Sequence, residues 1–255
     1  MKIWIKGFTG LALVTTVFCS AVYAQEPSGI LQKSDKKFIP EIFTYNMTLR
    51  TKSADGKVDV VDYNGKKKHE NNIMVTLNPV SARGQVNLKN RNVLWSYFPT
   101  SDTSVKQSYQ AIILGTSVSY GDILAIELSR DYDVQSTAEN SSLSNDAAGT
   151  NMYYLLALTP KKGVDGYAKI FIWINQANFL PVRREYYALS GLLVKSCEIK
   201  SISFNDKGVL SGADELFYEP LKKKETLVTF SNIIVLNDIR DTTFNPKAMK
   251  FFSGE

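Results

Sequence analysis

The chain has 255 residues, of which 44% are hydrophobic and 22% charged, and its formal net charge is +5. Without the first 24 residues, which include Lys2 and Lys6, the charge is +3, an excess too small to indicate nucleic-acid binding. This length suits one sizeable β domain or two small ones, with a core that can be large enough to need no disulfide staples.

The N-terminus has the pattern of a secretory signal peptide. Lys2 and Lys6 precede an apolar run from Gly7 to Val22. Val22 and Ala24 would occupy the −3 and −1 positions of a cleavage site. We predict cleavage after Ala24, which leaves residues 25–255 as a single domain. The alternative of a retained membrane anchor is disfavoured because the run is short and interrupted by Thr and Ser.

The two cysteines restrict the covalent chemistry of the chain. Cys19 lies within the predicted signal peptide, and Phe18 before it is not the small residue that a lipid-attachment signal requires. Only Cys197 remains after cleavage, so an intramolecular disulfide is excluded. We interpret Cys197 as a buried structural thiol.

The first predicted element after the signal peptide is a short amphipathic helix over residues 28–38. Ile30, Leu31, Ser34 and Phe38 lie at helical spacing. Ser28 is a candidate N-cap, and Pro40 closes the segment.

Alternation with a period of two then dominates the chain and predicts about ten antiparallel strands. In Ile42–Arg50, Phe43, Tyr45, Met47 and Leu49 share one face. Asn64-Gly65 predicts a tight hairpin because both residues tolerate positive φ. The other strands are predicted at 57–63, 73–77, 84–88, 93–98, 152–158, 167–174, 182–189, 192–204 and 225–236.

Two segments interrupt the strand pattern. Tyr120–Leu128 places Ile123, Leu124 and Leu128 on one helical face, which predicts a short helix. Residues 136–150 are polar and predict a mobile loop. So many consecutive strands indicate a meander that curls into a barrel or part of one. Its apolar face is either filled by side chains or left partly open for an apolar ligand under a helix.

The sequence offers few groups for catalysis. His69 is the only histidine, no Gly-x-Ser-x-Gly elbow is present, and His and Cys are not clustered for a metal. The carboxylate pairs Asp131/Asp133 and Asp238/Asp241 fit surface turns better than a glycan hydrolase. Two lysine runs, 66–68 and 222–224, are interpreted as solvated turns, with contact to anionic lipid or an acidic partner as the alternative.

Three segments carry a resemblance to a known family: Pro79–Gly84, Val93–Pro99 with Trp95 and Tyr97, and Gly115–Ile123. Together they resemble the LolA-like outer-membrane lipoprotein-sorting family. Segments 153–160, 167–175, 180–181, 185–187 and 241–244 are similar to it in the same order. The chain departs from the family pattern at Ser117-Val118 and Gly121, and no arginine matches the family's lid latch.

The resemblance implies a mainly β fold (α+β), a curved antiparallel unclosed half-barrel whose concave face is covered by a few short helices. It implies a non-enzymatic, monomeric periplasmic carrier without cofactor or metal, which shelters the acyl chains of a lipoprotein or another lipid. The expected partners are an inner-membrane transporter and an outer-membrane acceptor. The alternative is an envelope accessory module for an inner-membrane exporter, with no lipid cargo.

For the carrier we predict an apolar cavity and a lid. Which strand face is concave is an assumption at this point. The lid residues are Ile123 and Leu124. The predicted lining comprises Phe43, Tyr45, Met47, Leu49, Val75, Leu77, Val86, Trp95 and Tyr97.

Overall fold

A computed structural model describes residues 26–124, 127–141, 143 and 152–254. The predicted signal peptide lies outside the described residues. Within the described ranges, no helix has the length and apolar character needed to cross a membrane.

The described chain is mostly β-strand. Its four α-helices are α1 (Pro27–Phe38), α2 (Tyr120–Leu124), α3 (Leu128–Asp131) and α4 (Met249–Phe252). The strands are β1 (Ile42–Lys52), β2 (Val58–Lys68), β3 (Asn71–Asn78), β4 (Val86–Asn90), β5 (Val93–Phe98), β6 (Thr103–Gln107), β7 (Tyr132–Ser141), β8 (Tyr153–Pro160), β9 (Lys169–Asn175), β10 (Pro181–Tyr187), β11 (Leu193–Phe204), β12 (Leu210–Glu219) and β13 (Lys224–Val235). Short 3-10 turns span Val80–Ala82, Asp241–Phe244 and Pro246–Ala248.

All thirteen strands form one antiparallel sheet in the order β6-β5-β4-β3-β2-β1-β13-β12-β11-β10-β9-β8-β7. It consists of two meanders, β1–β6 and β7–β13, that are joined where β1 pairs with β13. The sheet is unclosed, with β6 and β7 as its free edges. The predicted curved, unclosed antiparallel fold with a few short helices is therefore confirmed.

The main core lies between one face of this sheet and α1–α3. Phe43, Tyr45, Met47 and Leu49 alternate into it from β1, as their spacing predicts. The helix predicted over residues 28–38 is confirmed, and its Ile30, Leu31 and Phe38 are buried. Glu26 occupies the N-cap position in place of the predicted Ser28, and Pro27 opens the helix.

The hairpin predicted at Asn64-Gly65 is wrong. β2 continues through both residues, which pair with Asn46 and Tyr45, and the chain reverses later at His69-Glu70. Gly65 is required for packing and not for a turn, because a Cβ there would lie 2.1 Å from Cζ of Tyr45. The glycine leaves room for the tyrosine ring.

The predicted short helix over 120–128 is present as two pieces, α2 and α3. Part of the predicted polar loop is wrong, because residues 136–141 belong to β7, which pairs with β8. Of the rest of that loop, only residue 143 is described. Strands β6 and β12 were not predicted, since their sequences carry Thr, Ser, Gly and charged residues where the other strands carry aliphatic ones.

A second core cluster lies on the opposite, outer face of β3–β5. Ile73, Val75, Val86, Leu88 and Tyr97 pack there against Phe244 and Met249 from the C-terminal segment. Strands β3–β5 are therefore covered on both faces. This explains why their sequences show weaker alternation than β1 does.

Candidate functional site

A cavity of about 190 Å³ lies on the helix-covered side of the sheet. Lys106 and Gln107 of β6 and Tyr132 of β7 belong to its wall, so it lies where the two free edges of the sheet face each other. Loop residues Gly163–Tyr167, α2 and α3 complete the wall. Its apolar and aromatic lining consists of Val93, Leu94, Tyr109, Leu128, Tyr132, Val164, Tyr167, Ile170 and Tyr186.

Tyrosines form much of this wall, and the hydroxyl groups of Tyr132 and Tyr167 are held by hydrogen bonds. The rings of Tyr167 and Tyr186 lie 4.6 Å apart. The hydroxyl of Tyr132 accepts a hydrogen bond from the backbone N–H of Tyr167 at 2.9 Å. Gly166 permits this approach, since a Cβ there would lie 2.3 Å from the Tyr132 hydroxyl oxygen. Burial raises the pKa of Tyr132 to about 12, so the ring presents a neutral surface.

A buried ion pair anchors α2 to the sheet beside the cavity. The ammonium of Lys195 lies 2.8 Å from Oδ2 of Asp122, and both side chains are at most 3% exposed. The same ammonium donates to the carbonyl of Ser117 at 2.9 Å. Asp122 also accepts from the backbone N–H of Ser119 and from the hydroxyl of Tyr167. The carboxylate therefore ties α2, the preceding loop and β11 together.

A second buried pair lies deeper in the wall. Nη2 of Arg184 donates to Oε2 of Glu215 at 2.6 Å, and the thiol of Cys197 donates to the same oxygen at 3.5 Å. Burial raises the pKa of the Cys197 thiol well above its ordinary value, which keeps it protonated. This supports the interpretation of Cys197 as a structural thiol. The charges of both pairs are balanced inside the fold.

Polar contacts hold α3 over the concave side. Lys67 of β2 lies 2.5 Å from Glu127, and Arg130 pairs with both Glu127 and Glu70. From α1, the carboxylate of Asp35 accepts the backbone N–H of Ser129 at 2.8 Å. We call residues 120–131 the lid segment, of which 125 and 126 are not described.

The predicted cavity lining does not form one surface. Phe43, Tyr45, Met47 and Leu49 are at most 4% exposed and share the main core with the predicted lid residues Ile123 and Leu124. Packed side chains fill this part of the concave face. None of these six residues lies in the cavity wall.

The remaining predicted residues point elsewhere. Val75, Val86, Trp95 and Tyr97 belong to the cluster on the outer face, under the C-terminal segment, and Leu77 is half-buried in neither cluster. Alternation indicates which residues of a strand share a face, but not whether that face is concave. With β3–β5 covered on both sides, the assumption about their orientation was wrong.

None of the predicted lining or lid residues lies in the wall of this cavity. Two sequence features could have indicated this wall: the segment 163–166 before Tyr167, which begins and ends with glycine, and Tyr132 between Asp131 and Asp133. His69, with a side chain 48% exposed, lies in the β2–β3 turn outside the cavity wall. No group of three or more potential metal ligands occurs among the described residues.

Comparisons with known proteins agree with this architecture. A family model with the description "Uncharacterized protein" matches residues 68–251. A search of curated proteins finds no match. The solved structure of a LolA superfamily protein from Nitrosomonas europaea is 29% identical, with a TM-score of 0.74, and the alignment covers 85% of this chain and 96% of that one.

Two further solved structures share the fold at lower identity. An outer membrane lipoprotein-sorting protein domain from Vibrio parahaemolyticus is 16% identical with a TM-score of 0.72, covering 88% of this chain and 97% of that one. A DUF1329 family protein from Desulfovibrio piger is 19% identical with a TM-score of 0.72, covering 87% and 97%. The predicted LolA-like resemblance is confirmed.

Proposed function

Because the chain belongs to the family described as "Uncharacterized protein" and has the fold of the LolA superfamily, we propose that it is a non-enzymatic carrier that shelters acyl chains. The observation that carries the proposal is the tyrosine- and aliphatic-lined cavity between the free edges of the sheet. The cargo is a lipoprotein's acyl chains or another lipid. The protein acts in the periplasm, after its signal peptide has been cleaved following Ala24.

The energetics of an acyl chain suit such a cavity. Each methylene group removed from water contributes about 0.8 kcal/mol to binding, so an apolar wall alone gives a carrier affinity for an acyl chain. A cavity of about 190 Å³ is smaller than the 300–1,000 Å³ typical of ligand pockets. We therefore assign this conformation to the closed state of the carrier.

Opening is assigned to the α3 end of the lid segment, which the polar contacts of Glu127 and Arg130 hold in place. The contacts of Arg130 with Glu70 and Glu127 involve partly exposed groups, so they can be exchanged for water at little net cost. The apolar contacts under α1 cannot be exchanged in this way. Displacement of α3 would enlarge the cavity beside Leu128 and Tyr132, both of which line it.

The ionisable pairs of the wall favour binding over catalysis. Asp122 with Lys195 and Arg184 with Glu215 are balanced structural pairs that connect elements of the fold. A donor at the inner membrane and an acceptor at the outer membrane would load and unload a monomeric carrier.

The alternative remains an accessory module for an inner-membrane exporter, without lipid cargo. The packed concave face around Phe43, Tyr45 and Met47 favours it, since these side chains are at most 4% exposed and the pocket beside Phe43 measures only about 30 Å³. Lipid mass spectrometry on the protein recovered from cells separates the two. Co-purified acyl lipid in stoichiometric amounts supports the carrier, whereas lipid-free protein that takes up no acyl probe supports the module.

A further inference from the structure

We propose that one end of the molecule docks on an anionic phospholipid surface through exposed leucines at three neighbouring loop tips. The leucines are Leu114, Leu189, Leu192 and Leu221, and we call them the leucine rim. Their exposed fractions are 36%, 98%, 49% and 69%. The inference does not depend on the cargo of the cavity.

Hydrogen bonds bring the three tips to the same end of the sheet. The ammonium of Lys224 donates to the carbonyl of Gly115 at 2.7 Å, next to Leu114. Lys195 near the start of β11 donates to the carbonyl of Ser117 in the same loop. The turn between β10 and β11 and the turn between β12 and β13 lie at one end, since β11 and β12 pair there at Ser196 and Tyr218.

This concentration of leucines differs from ordinary surface exposure. Single exposed apolar residues are common on soluble proteins and carry no meaning. Four leucines on three adjacent tips form a grouped apolar surface of the kind that marks an interaction site. Tips of turns project from the sheet, so they can enter an interface without any change in the strands behind them.

The charges beside the rim select the partner. Lys222, Lys223 and Lys224 follow Leu221 directly. On the same hairpin, Glu219 pairs with Lys222 at 2.8 Å, and Glu225 lies opposite Lys52 of β1. The four lysines of this surface, Lys52 and Lys222–Lys224, outnumber the two carboxylates, so its net charge is positive. Leucines flanked by lysines match a membrane interface with anionic headgroups, where the leucines enter the acyl boundary and Lys222 and Lys223 meet phosphates.

The rim also lies beside the cavity wall. Loop residues Gly163–Tyr167 line the cavity and lead into β9, whose Lys169 pairs with Tyr187 at the end of β10. The turn that carries Leu189 begins at the next residue. A membrane contacted by the rim would therefore be close to one wall of the cavity.

Vesicle co-sedimentation of the processed protein tests the proposal. Vesicles contain either phosphatidylglycerol mixed with phosphatidylcholine, or phosphatidylcholine alone. The wild type is expected to bind the anionic vesicles at least tenfold more tightly. L189S/L221S is expected to weaken that binding at least tenfold through lost apolar burial, and K222Q/K223Q about tenfold at low salt.

The control is F251S, because Phe251 is 72% exposed but lies on α4 at the outer face. It is expected to bind within twofold of the wild type. Equal binding of both vesicle types by the wild type, wild-type binding by L189S/L221S, or an equal loss in F251S would each overturn the proposal. Circular dichroism checks that each variant is folded. Uptake of an acyl probe without vesicles should be unchanged in L189S/L221S, so this result and the carrier proposal are judged separately.

Discussion

The ring of Tyr45 lies directly over Gly65 of the neighbouring strand, and its hydroxyl donates to Oδ1 of Asn72 on the strand beyond at 2.9 Å. Three adjacent strands, β1, β2 and β3, are thereby connected by one side chain. The arrangement requires that position 65 carry no side chain.

We expect G65A to destabilise the protein by about 2 kcal/mol or more, because the added methyl group would overlap a fully buried ring. Urea denaturation followed by circular dichroism measures the change. The matched control is G29A in α1, where the nearest atom to an added Cβ is 4.0 Å away. Helix propensity predicts that G29A is neutral or stabilising by up to about 1 kcal/mol. Similar losses in both variants would contradict the packing role of Gly65.

Gly65 also illustrates how far local patterns predict this fold. The alternation of β1 identifies its buried face, because a strand half in the core repeats every two residues. Asn64-Gly65 has the sequence of a hairpin turn, yet tertiary packing against Tyr45 decides its structure. The packing of a buried aromatic ring therefore outweighs the local turn preference of these two residues.

The candidate site was harder to predict than the fold. Its wall comes from both edge strands, two short helices and a loop, which are distant in the chain. The alternation that identifies Val75 and Val86 as buried cannot indicate that a C-terminal segment covers them from outside. The ion pair of Asp122 with Lys195 spans 73 residues and leaves no pattern in the sequence.

Narrowing the cavity should reduce the uptake of acyl chains. Val164 is half-buried in the cavity wall, so V164W would fill part of the 190 Å³ with an indole ring. We expect at least tenfold weaker binding of a fluorescent fatty acid. V105W, on an exposed position of β6 outside the wall, should bind as the wild type does. Unchanged binding in V164W would place the acyl chain elsewhere.

Weakening the lid contacts should increase local opening. E127Q removes the charge that pairs with both Lys67 and Arg130. Because the largely buried contact of Glu127 with Lys67 contributes about 1–2 kcal/mol, we expect the amide hydrogens of residues 120–124 and 127–131 to exchange roughly tenfold faster. E198Q, which weakens a pair with Arg183 on the sheet, should leave lid exchange unchanged. Equal exchange rates in E127Q and the wild type would show that these pairs do not control opening of the lid segment.

The carboxyl group of Asp35 should give the protein a distinctive pH dependence. Burial raises the pKa of Asp35 from 3.8 to about 6, so the folded state binds this proton more tightly than the unfolded state does. Its contribution to the free energy of unfolding is greatest below pH 3.8 and is lost as the pH rises through 6.

Comparing D35N with the wild type by urea denaturation at pH 4.5 and pH 7 isolates this contribution. The wild type should lose more stability than D35N over this interval, by about 2 kcal/mol. D55N, at an exposed turn position, serves as the control and should follow the wild type. Parallel pH dependence in D35N and the wild type would show that Asp35 does not titrate in this range.

The pairing of β1 with β13 has a consequence for biogenesis. Arg50 lies opposite Leu227, so the centre of the sheet joins parts of the chain that are 177 residues apart. Such contacts form late, because a long loop must close before any of them is made. A ribosome must finish β13 before the central ladder can exist. For the periplasmic carrier proposed above, the chain would therefore lack its central ladder, and could still be threaded through a translocation channel, until β13 has been made.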